Sequence, residues 1–207
     1  MKRLMLIFGV CCLFLAGCTT VDTSYTRNIQ PDQDDELGGT GIESTDIRTV
    51  SRKMAASILE VPQISRVQGA SPKVALLPVK NSTRFIINKD IFTKKIRIEL
   101  NQNAMGKITF LARDRMDDIL KERKLKRPTE DEETEENDRV SSSKKVDLMG
   151  VDFYLTGELM GLSKAINGDR SDYISMSFQL IDAETSEVIW ENEYEVKRVG
   201  QAGTVYQ

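Results

Sequence analysis

The sequence predicts an α/β (α+β) fold, a single mixed sheet of about four to five strands flanked by helices. Residues 73–79 form a short, nearly all-apolar run that is followed by a helical stripe and a second short run at 108–111. That order argues for a parallel strand, helix, strand crossover. Residues 174–180 then alternate strictly between apolar and polar, and turn residues 182–186 lead into a further alternating run from Val188. This second pattern is an antiparallel hairpin, and joining it to the crossover gives a mixed sheet.

Residues 1–17 lie outside that fold. Lys2 and Arg3 precede an apolar stretch over 4–15 and then small residues, the layout of a secretory signal. The stretch falls short of the roughly 20 residues needed to cross a bilayer. Leu15-Ala16-Gly17-Cys18 resembles the lipobox of bacterial lipoproteins. The resemblance implies cleavage after Gly17, lipidation of the Cys18 thiol and acylation of the new N-terminus, so that Cys18 is the membrane anchor. Several acyl chains on one residue hold far better than one, at roughly 0.8 kcal/mol per buried CH₂. The same resemblance makes Thr19, rather than an aspartate after the cysteine, a sign of the outer membrane. Cys11 and Cys12 leave with the signal, so no thiol remains for a disulfide or a nucleophile.

Residues 18–43 read as the lipidated cysteine and a flexible tether: the segment is polar, with Pro31, an acidic stretch at 32–36 and glycines at 38, 39 and 41. The 25 residues after Cys18 span about 80 Å when fully stretched and average about 25–30 Å as a coil. The globular domain is assigned to 44–199 and a C-terminal tail to 200–207. Ser44 or Thr45 caps the first helix, whose Ile47, Val50, Met54, Ala55 and Ile58 share a face, and Pro62 ends it. Pro78 puts the end of the 73–79 strand at an edge or beyond the ladder, and residues 81–83 form a turn. A second helix opens at Asn88 or Asp90 with a stripe of Phe92, Ile96 and Leu100. A third, over 114–124, points Met116, Ile119 and Leu120 inward.

Residues 128–138 carry seven acidic side chains and no basic one, which reads as a solvated acidic loop. A short helix over 141–149 follows. Residues 152–160 form a strand with Phe153, Leu155 and Leu159 on one side, and the hairpin comes after it. Trp190 sits on an alternating strand and is assigned to the core.

The chemistry is bounded by composition. The net charge is −3, and loss of Lys2 and Arg3 makes it −5, so no nucleic-acid partner is expected. Histidine is absent, which removes Ser-His-Asp and Cys-His catalysis and the commonest transition-metal ligand. Glu158 and Asp169 are the acids considered for hydrolytic work, and nothing separates them from other surface carboxylates. The expectation is no enzyme, no metal and no cofactor.

Three further strings carry a resemblance: residues 74–83 leading into a helix, residues 150–157 entering a strand, and residues 179–190, Gln-Leu-Ile-Asp-Ala-Glu-Thr-Ser-Glu-Val-Ile-Trp. With the lipobox and the element order, they make residues 48–198 similar to the LpoB-type outer-membrane lipoprotein activators of class A penicillin-binding proteins, within a wider CsgG-like group. The resemblance implies a TolB-N-terminal-like fold. It also implies a non-catalytic protein that activates a peptidoglycan synthase from the outer membrane by docking on it. The alternative it leaves is an accessory lipoprotein of a CsgG-like secretion or assembly system. Three departures stand out: Ser186 occupies a position where glycine is usual, the acidic stretch 130–138 looks inserted, and the tether is short.

Overall fold

A computed structural model of the chain describes residues 26–34, 38–66, 69–126 and 150–201. The chain divides into two units, Met1–Gln30 and Pro31–Gln207. Described residues 26–30 of the first unit are exposed and irregular, and the second carries all the described helices and strands. The signal peptide, Cys18, the acidic loop 128–138 and the expected helix 141–149 fall outside the described residues.

Helix α1, Ser44–Glu60, buries Val50, Met54, Ala55 and Ile58 as the spacing predicts, with Ile47 only partly covered. Its cap is Glu43, not Ser44 or Thr45. The Asp46 carboxylate accepts from the Glu43 backbone N–H at 2.8 Å, while the two hydroxyls reach back to Pro31 and Asp34. Pro62 ends α1 and opens one further turn, α2 at Pro62–Ser65, where its missing N–H costs nothing. Strand β1, Lys73–Leu76, stops before Pro78.

The expected turn at 81–83 is instead strand β2, Lys80–Ser82. The turn comes just after it. Asn81 Oδ1 accepts from the Thr83 N–H and hydroxyl, and Asn81 Nδ2 donates to the Phe85 carbonyl at 2.9 Å. Helix α3, Asp90–Asn103, buries Phe92, Ile96 and Leu100 and leads to β3, Thr109–Phe110. A 3₁₀ turn, Arg113–Arg115, precedes α4, Met116–Lys126. On α4 Met116 and Ile119 are half-buried and Leu120 is exposed, so the inward stripe read from the sequence is not packed among the described residues.

Three 14-residue strands complete the sheet: β4 Phe153–Ile166, β5 Asp169–Asp182 and β6 Val188–Gln201. The order is β3-β1-β4-β5-β6, with β2 also paired to β4. Six strands are present against the four to five expected, the extra one being short β2. Strand β1 runs parallel to β3 and β4, and β4-β5-β6 is an antiparallel meander. The sheet is therefore mixed, as predicted. Helices α1 and α3 pack on one face, where Phe92 meets Phe178 with ring centroids 5.9 Å apart.

Both hairpin turns have a local cause. Asn167 and Gly168 take φ of 49° and 88°, the two left-handed residues that a two-residue turn with the sheet's own twist requires. At the other turn the Asp182 carboxylate accepts from the backbone N–H groups of Thr185 and Glu184, which lowers its pKa, and Ser186 N–H returns to the Asp182 carbonyl at 3.0 Å. Ser186 sits at φ 63°, left-handed backbone that disfavours any side chain. Ser186→Gly is expected to stabilise the domain by about 0.5 kcal/mol, the relief of strain less the entropy glycine costs. Urea unfolding with an unchanged slope is the check.

Trp190 is in the core as expected, its Nε1 donating to Ser57 Oγ at 2.9 Å. Two boundaries move. Thr40, Gly41 and Ile42 are buried, so the folded unit takes in residues read as tether, and β6 runs through Gly200 to Gln201 rather than leaving a tail at 200. Ile42 joins the apolar core, but the polar composition around it hid the packing because Thr40 and Gly41 are held by the polar partners Asp172 and Arg198.

Candidate functional site

The acids considered for catalysis are not brought together. Glu158 points outward from β4, accepting from Lys80 Nζ at 2.8 Å and Ser82 Oγ at 2.9 Å, and these two partners lower its pKa. Asp169 starts β5, eight residues along that strand from Ser177, the neighbour of Glu158. Eight residues of strand is about 26 Å, too far for a carboxylate pair. Among the described residues no cluster of three acidic, cysteine or histidine side chains could hold a metal.

A cleft of about 170 Å³ lies at the carboxyl ends of β1 and β3, between Leu77, Pro78, Lys94, Arg97 and Arg113. Small-molecule sites take roughly 300–1,000 Å³, so this one is undersized for a substrate. No described helix is long and apolar enough to cross a membrane.

What the fold does build is a buried polar junction where the N-terminal segment enters the domain. Asp172 on β5 is 1% exposed and receives Arg84 Nε at 2.9 Å and Nη2 at 2.6 Å. The hydroxyls of Thr40 and Ser163 also donate to it. Arg84, followed by the hydroxyls, holds the Asp172 carboxyl well below the usual carboxylate range against the opposing effect of burial. Arg84 also lies over the Phe85 ring, 4.0 Å from its centroid. Beside this pair, Arg198 on β6 donates to both Asp46 oxygens at 2.8 and 2.9 Å and to the Gly41 carbonyl at 2.8 Å. Asp46 raises the Arg198 pKa further.

The two ion pairs thus lash residues 40–46 to the far half of the β5–β6 ribbon. Sequence reasoning missed them. Their one visible signal was a charged residue, Asp172, at an inward position of an alternating strand, which demands a buried partner.

The chain was also compared with known proteins. No curated protein matches it by sequence. Among solved structures, the LpoB C-terminal domain from Salmonella enterica is 15% identical, covering 74% of this chain and 99% of that one at a TM-score of 0.42. The LpoB C-terminal domain from Escherichia coli is 19% identical over 74% and 99%, at 0.40. The NMR structure of Escherichia coli LpoB is 16% identical over 89% and 86%, at 0.39. The family model of the peptidoglycan-synthase activator LpoB matches residues 46–196, which is most of the 207. That span takes in Arg84, both ion-pair aspartates Asp46 and Asp172, and the whole parallel unit, and this chain therefore belongs to the LpoB family of peptidoglycan-synthase activators.

Proposed function

We propose that the chain is a non-catalytic lipoprotein, anchored through Cys18 in the outer membrane and facing the periplasm, that docks on a class A penicillin-binding protein and raises its synthesis of peptidoglycan. The family match over residues 46–196 carries this reading. Such a protein acts without a reaction of its own: it shifts the synthase toward its active state by its differential affinity for the two states and by no more.

The ordered start of the domain constrains the geometry. Ser44 and Thr45 hold Pro31 and Asp34, leaving residues 19–30 as linker, about 40 Å at full extension. A linker of that length requires the synthase to extend toward the lipoprotein.

Affinity purification of the anchored protein after in-cell crosslinking is expected to recover a bifunctional penicillin-binding protein. Recovery of secretion components without any cell-wall synthase would refute the reading. Cys18→Ala is expected to abolish incorporation of labelled palmitate and to release the protein from the membrane fraction. Persistence of the label would remove Cys18 as the anchor.

A further inference from the structure

The register of the meander places six rows of side chains on the sheet face opposite α1 and α3: Thr156, Gln179, Glu191; Glu158, Ser177, Glu193; Met160, Ser175, Glu195; Leu162, Tyr173, Lys197; Lys164, Ser171, Val199; and Ile166, Asp169, Gln201. Residues directly opposite one another in an antiparallel pair share a face, so this array is one continuous surface.

Its two long sides differ in chemistry. Along β4 run Met160, Leu162 and Ile166, 46%, 60% and 71% exposed, with Val199 at 75% across the ribbon. Single exposed apolar residues are ordinary, but Met160 and Leu162 are successive on this face of β4, with Ile166 one row beyond Lys164 and Val199 across Ser171, so four large apolar side chains are concentrated at one end of the open sheet. Along β6 run Glu191, Glu193 and Glu195, about 6.6 Å apart at every second residue of a strand.

Neutral donors from β5 hold each of these carboxylates: Gln179 Nε2 donates to Glu191 at 2.7 Å, Ser175 Oγ to Glu193 at 3.0 Å, and the Tyr173 hydroxyl to Glu195. Among the described residues no lysine or arginine forms an ion pair with any of the three. Glu158, by contrast, is neutralised by Lys80. The ladder therefore presents its charge in a fixed arrangement beside an apolar stripe.

We propose that this face is a docking surface for a folded protein domain that offers an apolar ridge flanked by a row of lysine or arginine side chains. On the function proposed above, on which this inference rests, that domain belongs to the synthase. Apolar contact with the β4 stripe supplies the holding energy, and the β6 ladder supplies orientation and a salt-dependent on-rate. Leu162 and the glutamates are outside the core, so their substitution leaves folding intact.

The test measures binding of the full-length protein to the class A synthase of the same cell, with thermal unfolding of each variant alongside. Triple reversal of Glu191, Glu193 and Glu195 to lysine, and separately Leu162→Asp, are each expected to weaken binding at least tenfold. Ile98→Asp, on an exposed face of α3, is expected to leave binding unchanged. Wild-type affinity is expected to fall as salt is raised, and affinity of the triple variant to fall much less.

Binding by the wild type that neither change weakens overturns the docking surface and leaves the activator function standing. Loss in only one of the two overturns the pairing of stripe and ladder. If the wild type does not bind, the activator reading fails, and a photocrosslinker at position 162 in cells decides the surface by itself. An adduct with an identified protein that the triple reversal abolishes supports it. No adduct, or an adduct with a second copy of this chain, overturns it.

Discussion

Gly157→Ala is expected to destabilise the domain by about 3 kcal/mol, the upper part of the range for forcing extra atoms into a packed core. An added Cβ at this position would lie 2.5 Å from the Ser177 backbone carbonyl oxygen and 2.6 Å from Phe178 Cδ1. Neither neighbour can give cheaply. Ser177 belongs to β5, held to β4 along its whole length, and Phe178 is fully buried against Phe92 of α3. Moving the ring strains the helix layer; moving the carbonyl parts the two longest strands of the sheet. For a domain of this size, about 3 kcal/mol corresponds to a fall of roughly 6–12 °C in melting temperature. Circular dichroism of Gly157→Ala against Gly161→Ala gives the comparison. At Gly161 the nearest atoms are Thr83 Cβ at 3.3 Å and Cα and Cγ2 at 3.4 Å, so a shift of a few tenths of an ångström suffices, against the full clash at Gly157, and a smaller loss is expected there. Equal losses at the two positions would remove close packing as the cause.

Most of the fold was legible because its helices and central strands advertise themselves by period. The stripe Phe92, Ile96, Leu100 and the alternation from Ile174 to Leu180 are both buried where the sequence places them. Strand length was under-read for a physical reason. Beyond Leu159 the strand β4 continues as Met160, Gly161, Leu162, Ser163, Lys164, with its inward positions filled by glycine, serine and alanine, so no apolar alternation marks it. Asn167-Gly168 was the available signal, a two-residue turn that requires strands on both sides. The same region hid the polar junction, since Ser163, Asp172, Arg198 and Thr40 are four separate polar residues until the register brings them together. The open face was equally out of reach: its apolar stripe is on β4 and its acids are on β6, and only the pairing through β5 makes them one surface.

Arg84→Met is expected to cost about 3–5 kcal/mol at neutral pH, the range for leaving one member of a buried ion pair unmatched. The asymmetry of the pair sets which substitution is worse. Asp172 is 1% exposed and has no route to water, whereas the Arg84 side chain is 34% exposed and can turn outward when its partner is lost. Asp172→Asn, which also keeps an acceptor for the Thr40 and Ser163 hydroxyls, is therefore expected to cost less, about 1–2 kcal/mol. Acid should narrow the gap. Because the folded-state pKa of Asp172 lies below its ordinary value, the pair contributes fully above about pH 4 and progressively less as pH falls toward the folded value. In Arg84→Met the buried carboxyl instead takes up a proton readily, so the variant loses less than the wild type on acidification. Urea unfolding at pH 7 and pH 3 should show the difference between the two proteins shrinking. An undiminished difference at pH 3 would mean that Arg84 acts through its packing on Phe85 rather than through its charge. The loss also has a local readout: Arg84 Nη2 reaches the Thr40 hydroxyl at 3.1 Å, so the variant should admit protease within residues 38–43 before the domain as a whole unfolds. On the lipid-anchored function proposed above, opening there would lengthen the chain between Cys18 and the domain and so tie the stability of this junction to the distance the protein reaches.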